Sequence, residues 1–93
     1  MELKMKNPME SNEFKLSDFY QSVILKTAGF PLVRLEKQDR QHFVFVFEDS
    51  DNQDSDNQAE LILSRYWNHE LQVDARDLIE SINELKTRIH SGV

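Results

Sequence analysis

Apolar and polar positions change their period several times along this chain, and each change predicts an element. Phe19, Tyr20, Val23, Ile24 and Ala28 recur at helical spacing, which predicts a first helix with one broad buried stripe. Ser17 suits its N-cap, with Asp18 as first helical residue at the positive end of the dipole. Gly29 then supplies the left-handed conformation that ends a helix, and Pro31 prevents resumption. Over residues 31–37, Leu32, Val33 and Leu35 alternate imperfectly with Arg34 and Glu36, as in a half-buried strand. A turn over residues 38–41 is too short for a parallel crossover, so the next strand, Phe43 to Phe47, returns antiparallel.

After Glu48 the pentapeptide DSDNQ occurs twice in succession, at 49–53 and 54–58. Its residues favour side-chain bonds to their own backbone, which predicts an acidic loop running into a helix N-terminus. Asp56 or Asn57 caps that second helix in this reading, with Glu60 as capping-box partner, and Ala59, Ile62, Leu63 and Tyr66 face inward. Asn68 marks its end. Leu71 and Val73 flank Gln72 in a short extended stretch, and Asp74 caps a last helix with an apolar seam of Ala75, Leu78, Ile79, Ile82, Leu85 and Ile89. The expectation is an α+β domain of order α-β-β-α-(β)-α, an antiparallel hairpin packed with three helices. Residues 1–13 form a flexible tail, and 14–93 a single domain with the acidic loop at 49–58.

The strand in HFVFVFED, residues 42–49, sets a burial problem. Phe43, Phe45 and Phe47 point one way and Val44 and Val46 the other, so both faces are apolar. The longer stripes of the first and third helices suit the phenylalanine face. On the other, exposed valines would forgo several kcal/mol at roughly 25 cal/mol per Å². The second helix, a second copy of the chain or an unrelated protein could cover them. A homodimer is favoured, with Val44, Val46, Tyr66 and Trp67 in its interface, because twofold dimers are common and aromatics anchor interfaces.

Composition narrows the function classes. With 93 residues, 39% of them hydrophobic, the chain suits one small core. The lack of cysteine excludes a thiolate nucleophile, disulfides and a cysteine zinc site, and with no long apolar run it fits a cytoplasmic protein. Eleven Lys plus Arg against seventeen Asp plus Glu give a net charge of −6, which repels a phosphate backbone at long range. A local basic patch of Arg34, Lys37, Arg40, Arg65 and Arg76 is the alternative that restores a nucleic-acid reading.

Catalytic constellations are scarce. Asp49, Asp51, Gln53, Ser55, Asn57 and Glu60 fall at the ligand spacing of an EF-hand loop, but Asp54 stands where the sharp turn wants glycine, and a strand precedes the loop where a helix belongs. His42, His69 and His90 lie far apart on different elements. Only His69, beside Glu70 and just after Tyr66 and Trp67, brings an acid, a base and aromatics together, and such aromatic pairs more often anchor packing or an interface. Gly29 and Gly92 cannot build a phosphate loop. The acids of the last helix, Asp74, Asp77, Glu80 and Glu84, read as a solvent face, and Arg76 as solvated or paired with Glu80. No catalytic, cofactor or metal residue is assigned.

The segments SDFYQSVIL, GFPLVRLE, FVFVFED, YWNHELQVDAR and LKTRIH together resemble a bacterial family of short proteins known only as a domain of unknown function. The resemblance spans about Phe14 to His90. It implies the same element order and a helix starting at Val-Asp-Ala-Arg, with members running directly from the phenylalanine strand and Glu-Asp-Ser into the second helix, so the DSDNQ duplication lengthens that junction. It brings no activity. The expected function is a non-catalytic protein-interaction module, a homodimeric adaptor or inhibitor; the alternative is an accessory of nucleic-acid machinery using the five basic residues.

Overall fold

The computed structural model describes residues 13–49 and 58–91. Among them the order is β1 (Glu13–Leu16), α1 (Phe19–Thr27), β2 (Leu32–Lys37), β3 (Phe43–Glu48), α2 (Ala59–Trp67) and α3 (Ala75–Ser91). This is the expected α+β arrangement of a hairpin with helices, enlarged by one strand. The sheet is antiparallel with order β1-β3-β2, so the phenylalanine strand is central.

The added strand corrects the sequence reading, in which order began at Ser17. Glu13, Phe14, Lys15 and Leu16 alternate polar and apolar and pair with Glu48, Phe47, Val46 and Phe45. Phe14 and Leu16 therefore join the core, while Glu13 and Lys15 stand on the other face. At the other edge, a bulge between Leu32 and Arg34 explains the imperfect alternation of β2. The extra residue, Val33, is exposed, and Leu32 and Leu35, three apart, both reach the core. The expected short strand at Leu71 to Val73 does not form: these residues have no regular secondary structure and do not join the sheet.

All three helices pack on the phenylalanine face. Val23, Ile24 and Leu25 of α1, Ala59, Ile62 and Leu63 of α2 and Leu85 of α3 surround Phe45 and Phe47 in one core. Helix α1 is buried on nearly every side, and its Ser22 hydroxyl meets its needs by donating to the Asp18 carbonyl at 2.8 Å. The predicted stripe of α1 needs correction at Tyr20, which points outward, and at Ala28, the exposed C-cap. In α3, Leu78, Ile82, Leu85 and Ile89 form the seam, while Ala75 and Ile79 lie off it in solvent.

The caps shift as well. Asp18, not Ser17, is the N-cap of α1, accepting from the Gln21 amide at 2.9 Å. Asp74 caps α3 as expected, accepting from the Asp77 amide at 3.0 Å. Residues 56 and 57 lie outside the described residues. At the start of α2 the N-cap position is Gln58, whose side chain makes no capping bond. Asp49 takes that role from the end of β3: its Oδ1 accepts from the Ala59 amide at 3.2 Å. The two ends of the acidic segment therefore meet.

Candidate functional site

The outer face of the sheet carries the expected interface residues Val44 and Val46. They are only 7% and 0% exposed within a single chain, although the described helices pack on the other face. The register supplies the cover. Lys15 and Arg34 flank Val46 from the two edge strands, and Glu36 flanks Val44. The Arg34 guanidinium reaches across the central strand to Glu13 with Nη1–Oε2 at 2.9 Å and Nη2–Oε1 at 3.0 Å, and its Nε donates to Glu36 Oε2 at 2.8 Å. Lys15 Nζ approaches the same Glu36 oxygen from β1 at 3.8 Å. Aliphatic stems thus lie over the valines with the charges outward. Hydrogen bonding by Glu13, then Glu36, raises the Arg34 pKa above its ordinary value.

This charged cover bears on the interface expectation. Val44 and Val46 offer no open surface, and the burial argument for a second copy on this face falls away. Among the described residues, side chains from both neighbouring strands lie beside these valines, and the second helix packs on the opposite face. Part of this was visible in the sequence, in the outward phase of Arg34 and Glu36.

The five basic residues fall on three parts of the fold: β2 and its following turn hold Arg34, Lys37 and Arg40, while Arg65 is on α2 and Arg76 on α3. Arg34 is held by two carboxylates, and Arg76, at the start of α3, pairs with Glu80 at 3.3 Å. Lys37 ends β2 and Arg40 lies in the following turn. Arg65 sits in the last turn of α2, across the sheet from Arg34. In that same β2–β3 turn, Asp39 accepts from the Gln41 and His42 amides at 2.9 and 3.0 Å, and His42 Nδ1 lies 2.7 Å from its Oδ1. The Gln41 amide, followed by His42, lowers the Asp39 pKa below the usual carboxylate range.

The other two expected interface residues form an exposed corner at the end of α2. Tyr66 tucks against the core while Trp67 is 61% exposed, the rings meeting edge-on at 5.2 Å. Trp67 Nε1 donates to Gln21 Oε1 of α1 at 3.4 Å. Gln21 was missed in the sequence because adjacency of α1 and α2 is a tertiary fact. Beyond Trp67, Asn68 is the C-cap and His69 follows with φ +63°. The His69 amide donates to the Tyr66 carbonyl at 3.2 Å and the Glu70 amide to Arg65 at 2.8 Å, the paired bonds of a Schellman ending. Helix α1 ends in the same way: Gly29 has φ +104°, its amide donates to Lys26 at 3.0 Å, and that of Phe30 to Leu25 at 3.0 Å. One helix uses glycine at this left-handed position and the other histidine, for which the conformation costs roughly 1–2 kcal/mol.

A second concavity lies where α1 meets the end of α3, a shallow groove of about 390 Å³ lined by Phe19, Tyr20, Lys86, Ile89 and His90. Its Tyr20 is 63% exposed. Basic residues near a helix C-terminus have a dipole explanation of their own. Most of the EF-hand positions lie outside the described residues. Among the described residues, no group of three or more His, Cys, Asp or Glu could hold a metal ion, and no helix is long and apolar enough to cross a membrane.

The geometry defines a small α+β domain with one closed sheet face and an aromatic helix end left open. The model of one family, the domain of unknown function DUF5659, matches residues 11–91, and the chain belongs to that family. No curated protein and no solved structure matches it.

Proposed function

We propose that this chain is a non-catalytic protein-interaction module of the cytoplasm, an adaptor or inhibitor that engages its partner through the Trp67 corner. The observation that carries this reading is the indole itself: a large aromatic, 61% exposed, tethered by a single hydrogen bond to Gln21. Exposed tryptophan is the residue type most enriched among interface hot spots. Support also comes from the closure of the sheet face, which directs apolar contact to the exposed side chains elsewhere, Trp67 among them. The nucleic-acid alternative loses support from the scatter of Arg34, Arg65 and Arg76 and from the carboxylates that already hold two of them.

Affinity capture from the native host with wild-type chain and Trp67→Ala tests the reading. A partner retained by the wild type and lost by an equally stable variant supports it; identical captures refute it. A homodimer remains the competing occupant of the same corner. Light scattering at micromolar concentration decides between them: a dimer that Trp67→Ala dissociates makes the partner a second copy.

A further inference from the structure

We infer that His69 is a binding residue of the Trp67 corner, held in a strained backbone at the expense of stability, and that the corner takes a cationic side chain, Arg or Lys, from a basic protein segment. The inference rests on the reading of the corner as a protein-binding surface and adds the chemistry of what it binds.

The fold supplies its own comparison for His69. Two helices end in the same hydrogen-bonded turn, one with Gly29 at the left-handed position and the other with His69. Glycine adopts that conformation without steric penalty, so stability alone favours glycine at both ends. Non-glycine residues in such conformations cluster at functional sites, where the side chain is needed. His69 is exposed and two residues beyond the exposed indole, so its side chain does not stabilise the interior.

Charge identifies the ligand. Trp67 donates to the Gln21 side-chain oxygen, and the Gln21 backbone amide donates to the Asp18 carboxylate at 2.9 Å, so an exposed anion lies one turn of α1 from Gln21. Glu70, also exposed, follows His69 directly. The nearby cation, Arg65, is two positions before Trp67 in α2, and residues so spaced do not share a helix face. An exposed indole with Asp18 and Glu70 close to it along the chain and through Gln21 attracts a guanidinium or ammonium through the ring quadrupole and through Coulomb attraction. The net charge of −6 steers such a partner toward the domain. An uncharged imidazole adds a hydrogen-bond acceptor for the same cation.

Trp67 is the sole tryptophan, so its fluorescence reports on the corner directly. The probe is a capped hexa-arginine peptide, titrated at physiological ionic strength against hexaglutamate as control, with anisotropy of the labelled peptide used for Trp67→Ala. Wild type should show a saturable change with hexa-arginine alone. His69→Gly should melt about 4 °C higher or more, the shift expected for one kcal/mol in a domain of this size, yet bind at least about fivefold more weakly, within the cation–π range. Asp18→Asn with Glu70→Gln should weaken binding as well. Equal affinity of His69→Gly and wild type, or no rise in its melting midpoint, overturns the role given to His69 and leaves the Trp67 reading intact. Insensitivity to the two carboxylates, or equal binding of hexaglutamate, overturns the cationic ligand. Full retention of affinity by Trp67→Ala removes the corner and the proposed function with it.

Discussion

If charged side chains bury the valine face, removing apolar volume beneath them must cost as much as removing it from a core, and the cost must depend on the cover. Val46→Ala is the cleanest perturbation. Val46 is fully buried between Lys15 and Arg34. Truncation deletes two methyl groups, worth about 1.6 kcal/mol at roughly 0.8 kcal/mol per buried carbon. Flexible stems can settle into the vacated space, so the added cavity cost of a rigid core is small. A weaker strand preference for alanine adds to the loss in any background. The same substitution made on top of Lys15→Ala and Arg34→Ala cancels that preference. With its cover gone, Val46 is already wet, and truncating it should cost less than half as much. Urea unfolding followed by far-ultraviolet circular dichroism measures all four proteins, with midpoint and slope fitted separately. A wild-type cost below about 0.5 kcal/mol, typical of a surface site, would falsify the burial argument. Equal costs in the two backgrounds would show that something other than Lys15 and Arg34 covers the valine.

Three further outcomes follow from the junctions. Deleting one DSDNQ copy shortens the connection between Asp49 and Ala59 from nine residues to four, and since those ends already meet at 3.2 Å, closure entropy alone predicts a gain of roughly 0.7 kcal/mol; a loss beyond about 1 kcal/mol in urea unfolding would mean that the second copy makes contacts of its own. Asp49→Ala should cost about 1 kcal/mol, the usual loss for a side-chain cap, and a neutral result would remove Asp49 as the cap of α2. Because the folded state depresses the Asp39 pKa, its favourable contribution is complete above the ordinary carboxylate pKa and fades as pH falls through the lower folded value; a carboxyl carbon titration by NMR with a midpoint at or above the ordinary value contradicts the turn geometry.

Where the sequence was read correctly, local rules and tertiary packing agree. Gly29, Pro31 and the short turn before Phe43 fix α1 and the hairpin, and the seam from Leu78 to Ile89 fixes α3. The larger misses share a physical cause, since each depends on a neighbour distant in sequence. A four-residue strand such as Glu13–Leu16 carries too few alternations to stand out, and it exists because β3 offers a free edge. Asp49 serves a helix ten residues away, which no capping pattern within α2 announces. Of the candidate corner, Tyr66, Trp67 and His69 were visible as an unusual cluster. The strain at His69 was not, because the helix ends with the bonds that normally accompany glycine.

The charged cover and an apolar partner answer the same burial problem at different cost. A partner gives up translational and rotational freedom on association, whereas Lys15, Arg34 and Glu36 are already attached beside the valines and lose only side-chain freedom. The bonds from Arg34 to Glu13 and from Lys15 toward Glu36 cross β3 from opposite edges, so they also tie the four residues of β1 to β2. A face closed in this way has little to gain from a second protein, because any newcomer must first displace groups already paired. Trp67 has no comparable cover. One 3.4 Å hydrogen bond to Gln21 holds its edge, and 61% of the residue stays exposed at the end of α2. In the proposed function, the same hydrophobic arithmetic that closes the sheet directs binding to the helix end.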